Sequence, residues 1–236
     1  MERGLRSLEE QSFSDFEVIF VDDCSTDDTY SRLITYQQSS TMNISVFRNE
    51  KNSGPGEARN NGIKRAQGEY LAFLDSDDWY EKDFLQKMYK QFKVADADMV
   101  FCDFYRDFGV NENRQWIKIT ETYPAIKEHR EFIALCFDSL CVSVVRRRLF
   151  DVVSFPAIYN AEDTALLPVL VYKSSKVSFV SEPLYHYLYR PGSLSTAKSE
   201  KIAESFYEAF HFLRQNISDE YKEEVCFRGI KMLMYG

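Results

Sequence analysis

Three places in this chain put carboxylates where they could do chemistry. The apolar run Tyr70-Leu-Ala-Phe-Leu74 opens into Asp75, Asp77 and Asp78, and Phe16-Glu-Val-Ile-Phe-Val21 opens into Asp22 and Asp23. Further on, Glu162 and Asp163 follow Asn160. Hard oxygen donors grouped at a turn suit Mg²⁺ or Mn²⁺, and an ion held by only one or two carboxylates keeps positions open for phosphate oxygens. An ionised aspartate can also accept the imide N–H of a pyrimidine, a donor that phosphate lacks. Each acidic pair has a plainer reading beside the chemical one, as a helix cap or as charge complementing a helix dipole. Between the first two acidic turns lies Lys51-Asn-Ser-Gly-Pro-Gly-Glu-Ala-Arg-Asn-Asn-Gly62. Its glycines permit close backbone approach, and Arg59 falls in the first turns of the helix that follows.

The elements that must carry these residues follow from hydrophobic period. Apolar runs rich in β-branched and aromatic residues predict strands at 16–21, 44–47, 70–74 and 99–105, separated by helices near 28–38, after Gly56, and at 81–93. This alternation implies a mostly parallel sheet with helices on both faces. Asp22, Asp23, Asp75 and Asp77 would then share one carboxyl edge, where open α/β sheets bind ligands, and a cation or an arginine would offset their repulsion. Residues 1–13 read as the tail of an amphipathic helix, and 106–125 as a hairpin or excursion outside the main sheet. A helix over 129–138 and a strand over 140–145 follow. Asn160 caps a helix toward Tyr172 in which Pro168 predicts a kink or break. Lys176 to Tyr189 reads as two extended segments around Pro183, before a helix with Ile202, Phe206, Phe210 and Leu213 on one face.

With 236 residues, 44% of them hydrophobic, the chain can bury a sizeable core, and a formal charge of −8 argues against a broad nucleic-acid surface. Five cysteines without a Cys-x-x-Cys pair read as reduced thiols in a cytoplasmic protein, and no apolar run approaches membrane-spanning length. The triplet Arg146-Arg147-Arg148 reads as a solvated basic turn that could also meet an anionic lipid-linked acceptor or the inner face of a membrane.

Taken in order, Val21-Asp-Asp-Cys-Ser-Thr-Asp27, Ser53-Gly-Pro-Gly-Glu-Ala-Arg-Asn-Asn-Gly62, Leu74-Asp-Ser-Asp-Asp-Trp79, Glu162-Asp163 and Tyr187-Leu-Tyr-Arg-Pro-Gly-Ser193 resemble the inverting glycosyltransferases of family 2. The resemblance covers residues 1–195, and 196–236 would be a C-terminal helical extension. It implies the GT-A fold, a nucleotide-diphosphate sugar donor (most often a UDP-sugar), a glycan or lipid-linked acceptor in polysaccharide or glycoconjugate assembly, and a divalent metal. By the same resemblance Asp23 matches the uracil acceptor position, Asp22 and Arg59 donor-pocket positions, and Asp75 and Asp77 the metal motif, with Asp77 the principal ligand. Asp163 matches the general base, whose pKa partial burial or a nearby carboxylate such as Glu162 would have to raise, and Arg190 and Ser193 match a loop that closes over the diphosphate. His186 lies near enough in sequence to touch metal or phosphate, although a lone His in an aromatic strand is more often packed. Family members open with a strand ending in Pro-x-Tyr-Asn, and the expectation here is a domain lacking that strand and one wall of its pocket. The competing readings are a nucleotidyltransferase, which would release pyrophosphate, and a non-catalytic nucleotide-binding domain.

Overall fold

The computed structural model describes residues 1–109, 113–122, 129–191, 193 and 199–235. An amphipathic helix α1 (Glu2–Glu9) leads into β1 (Glu17–Asp22), α2 (Thr29–Ser39) and β2 (Asn43–Arg48). Next come α3 (Pro55–Ile63), β3 (Tyr70–Ala72), the two-residue β4 (Trp79–Tyr80) and α4 (Phe84–Ala95). The long strand β5 (Met99–Asp107) is followed by β6 (Arg114–Ile117), the short helices α5 (Ile119–Thr122) and α6 (His129–Leu135), and β7 (Ser143–Arg146). The chain closes with α7 (Glu162–Lys173), β8 (Val177–Leu188), α8 (Glu200–Asn216) and α9 (Lys222–Tyr235).

The described strands form two sheets. β1 and β2 pair in parallel as a two-stranded sheet, and the other six are ordered β3-β7-β5-β8-β4 with β6 also on β5. The α/β architecture matches the expectation, but strand direction is mixed. β5 and β8 are parallel, whereas β3–β7, β5–β7, β4–β8 and β5–β6 are antiparallel. The regular strand–helix alternation that implies parallel pairing holds only through β5; β6 follows β5 directly as an antiparallel neighbour, β7 comes after two short helices, and β8, which α7 precedes, is the strand parallel to β5. β6 is the expected hairpin, yet it joins the main sheet, pairing with the second half of β5 through Tyr105↔Trp116 and its neighbours, beyond the segment that pairs with β7.

The core centres on β5, where Met99 to Cys102 are fully buried, and on α4, which presents Phe84, Met88 and Phe92 to it at helical spacing. On the other side, α7 buries Ala165 through Val171 almost completely and packs against α6 and α8. α7 runs through Pro168 without ending, so of the expected kink or break there is no break. One lost backbone hydrogen bond there is offset by packing of the whole helix in apolar surroundings. β8 is a single strand with a register shift opposite Cys102 and Asp103, where Pro183 cannot donate to the ladder. α8 and α9 contribute Ala209, Leu213, Ile217, Val225 and Met232 to the same core.

Candidate functional site

β1 ends at the first acidic pair. Asp22 is buried, its carboxylate 3.2 Å from the Arg48 guanidinium and accepting from the Ser25 N–H. Asp23 accepts from Asn49 Nδ2 at 2.7 Å, from Ser53 N at 3.0 Å and from Gly54 N at 2.7 Å. This carboxylate therefore fixes the Gly-rich loop to the end of β1. Gly54 has φ +86°, which only glycine adopts at low cost, and Pro55 starts α3 at the position where its missing N–H is harmless. Gly62, about two turns on, lets α3 lie against Val21 and Ile19 of β1.

That seating aims Arg59 across the molecule. Its Nη2 donates to Asp75 Oδ1 at 2.8 Å, and its Nη1 donates to Glu162 Oε1 at 2.7 Å and to Asp163 Oδ1 at 3.2 Å. The guanidinium lies 5.5 Å from the centre of the Phe155 ring. One cation thus gathers acids from the turn after β3 and from the start of α7, residues more than a hundred positions away in sequence. Asp163 also accepts from Leu140 N at 3.0 Å. Burial raises the Asp163 carboxyl above its usual range, opposed chiefly by Arg59. Glu162 is raised too, by burial first and then by the Asp163 charge, again against Arg59.

The three aspartates of the second acidic turn separate into three environments. Asp75 is half exposed and held by Arg59. Asp77 is paired with Arg190, which descends from the end of β8. Asp78 is buried, with Tyr185 Oη on one oxygen and Leu188 N at 2.8 Å on the other, and burial pushes its pKa up to about 7. Asp78 is a structural tie between the turn and β8, a role its sequence position does not distinguish from that of its neighbours. Ser193 N donates to Arg190 O at 3.2 Å, so both belong to one turn; Gly192 between them lies outside the described residues.

Two backbone outliers mark the site. Cys24, just after Asp22 and Asp23, has φ +60°, and Ala161, just before Glu162 and Asp163, has φ +68°. Both are non-glycine residues in the left-handed region, a conformation that is retained when surroundings over-determine it. Asn160 Oδ1 accepts from Ala161 N at 2.8 Å, so the expected capping asparagine instead fixes this left-handed residue.

Other candidates fall elsewhere. His186 is buried on the β4–β8 pair and touches none of Asp75, Asp77 and Asp78 among the hydrogen bonds of the described residues, stacked on Trp79 with ring centres 4.8 Å apart, its two nitrogens 3.3 Å from Asp107 and 2.9 Å from Glu81. The basic triplet is not a free patch: Arg146 pairs with Glu69 and Asp98, Arg148 with Asp98, and Arg147 donates to Gly68 O. Among the described residues no helix is long and apolar enough to cross a membrane.

No group of three or more His, Cys, Asp or Glu side chains among the described residues is arranged to hold a metal. Asp75 and Asp77 instead offer hard oxygens at one turn, each now facing a guanidinium. The set fits an Mg²⁺ or Mn²⁺ ion that takes one or two protein carboxylates and completes its shell from substrate phosphates.

An α/β domain with acidic turns gathered over a Gly-rich loop and a buried carboxylate pair defines the GT-A class of glycosyltransferases, and comparison supports this. The chain aligns at 98% coverage with S. aureus TarS 1–349 in complex with UDP-GlcNAc, with a TM-score of 0.76 and 25% identity, covering 68% of that chain. The glycosyl transferase family 2 model matches residues 1–154, and the chain belongs to that family. Among curated relatives, EpsH of Bacillus subtilis (strain 168) is 30% identical over 237 residues, covering 94% of this chain and 67% of EpsH. Glycosyltransferase GlyA of Streptococcus pneumoniae is 27% identical over 221 residues, covering 89% of this chain but only 31% of GlyA.

Proposed function

We propose that this chain moves a sugar from a UDP-sugar to a hydroxyl of a glycan or lipid-linked acceptor, with inversion, in the assembly of a polysaccharide or other glycoconjugate. The observation that carries the reading is the Arg59 junction, which joins Asp75 of the acidic turn to Glu162 and Asp163 of α7. The resemblance to TarS, solved with UDP-GlcNAc, supports a uridine nucleotide donor.

In this reading Asp22 and Asp23 face the base and ribose side of the donor, and Arg59 and Arg190 face its diphosphate. Inversion needs one displacement, with the acceptor oxygen attacking the anomeric carbon opposite the leaving diphosphate. Asp163 takes the acceptor proton, and burial, which raises its pKa, makes its carboxylate a stronger base than that of an exposed aspartate. Burial first and then the Asp75 charge raise that pKa, not Glu162 as expected, and Arg59 fixes the orientation of both carboxylates of α7. Asp77 and Asp75 would hold a divalent ion, which when bound supplies charge neutralisation at the departing diphosphate. Arg190 leaves Asp77 for a diphosphate oxygen, and Ser193 moves with it on the same turn.

UDP should raise the melting temperature in the presence of Mn²⁺ or Mg²⁺ and not in EDTA. Asp163→Asn should abolish sugar transfer while preserving that thermal shift. Transfer surviving in Asp163→Asn would remove it as the base, and an absent shift with UDP, GDP and dTDP alike would remove the donor assignment.

A further inference from the structure

A second cavity, of about 270 Å³, opens beside the acidic turn and is lined by Arg3, Trp79, Asp107, Gly109, Arg114 and His186. We propose that it binds a phosphate ester carried by the acceptor, next to the sugar being modified; this rests on the transferase reading above. Trp79 is two residues from Asp77 and faces His186 across the β4–β8 pair, while His186 is four residues from Arg190. The cavity therefore adjoins the segments that carry Asp77 and Arg190.

Its chemistry is cationic in an acidic protein. Arg3 lies over the Trp79 ring at 5.0 Å, and Arg114 over the Tyr105 ring at 4.3 Å. Neither forms an ion pair among the described residues, in contrast to Arg48, Arg59, Arg146 and Arg148. An aromatic ring holds a guanidinium by its face and leaves the N–H edge free, the edge that meets two oxygens of a phosphate. The remaining wall sets a histidine between two carboxylates. His186 is buried, with one nitrogen toward Asp107 and the other toward Glu81, so Asp107 is engaged and the arginines supply the charge excess. The volume is small for a nucleotide, which separates this cavity from a second donor site.

The test is calorimetric titration of glycerol 3-phosphate into the full chain with the donor site saturated by UDP and Mg²⁺. Binding to the wild type, weakened at least tenfold in the Arg3→Gln/Arg114→Gln variant and unchanged in its UDP-dependent thermal shift, supports the proposal. Equal affinity in the variant, or no binding to the wild type, overturns it. Association only with vesicles containing phosphatidylglycerol, and not with soluble glycerol 3-phosphate, also overturns it by assigning the contact to a lipid surface. If UDP gives no shift yet the phosphate ester binds through both arginines, the donor assignment fails and the cavity stands as an anion site.

Discussion

Arg59 is the side chain on which the largest number of buried charges depends. Replacing it with alanine leaves Glu162 and Asp163 enclosed without their cation, a change that typically costs about 3–5 kcal/mol. Both carboxyls already favour the neutral form by burial, so the loss should be larger at pH 8 than at pH 5, as urea unfolding at the two pH values would measure. Asp78 gives a second pH signature. Its folded pKa, about 7, lies above the unfolded value near 3.8, so the folded chain binds more protons between those values. Stability from this group is therefore lost as pH rises through that window. Asp78→Asn retains an acceptor for Leu188 N and should flatten the slope between pH 4 and 7; parallel slopes for variant and wild type would exclude the assignment. Sequence places Asp75, Asp77, Asp78 and Glu162-Asp163 as candidates but does not separate their roles. Separation comes from the third dimension: Arg59 on Asp75, Arg190 on Asp77, and Tyr185 on Asp78.

At the scale of elements, hydrophobic period locates β1, β2, α2 and α4 closely, because each repeats against one core, while β5 is found from its run of apolar and aromatic residues. It is weaker where a segment is buried on all sides. Leu140 to Val142 is apolar enough to read as strand but forms a 3₁₀ turn before β7, and Phe73 and Leu74 extend β3 in pattern without pairing. α7 is apolar all round, so period says nothing about Pro168, and packing keeps the helix intact. The contact seating α1 is equally silent in sequence. A Cβ on Gly4 would come 2.9 Å from the backbone oxygen of Asp78. Gly4→Ala should therefore destabilise by about 1–3 kcal/mol despite a helix-propensity gain of about 1 kcal/mol, read as a lower urea midpoint. A neutral or stabilising result would show that α1 shifts freely over β4.

Over the whole molecule, the residues proposed for the two ends of the donor sit on different sheets. Asp22 and Asp23 close the β1–β2 pair, while Asp75, Asp77 and Arg190 belong to the turns of the six-stranded sheet. α3 lies along β1 and sends Arg59 to the other side, so this helix and its guanidinium form a polar link between the two sheets, beside the core that Val18 and Ile44 share with β5. A two-stranded sheet has little independent stability. Its amides should exchange hydrogen through smaller openings than those of β5 and β8. UDP with Mg²⁺ should slow exchange in β1 and β2 more than in β5, measured peptide by peptide by mass spectrometry. Uniform slowing, or none in β1 and β2, would argue against a ligand spanning both sheets. The nucleotide would then be a rivet as well as a reactant: as it leaves, the half of the domain that reads the base would regain its independent motion, and product departure would be a mechanical loosening as much as a chemical dissociation.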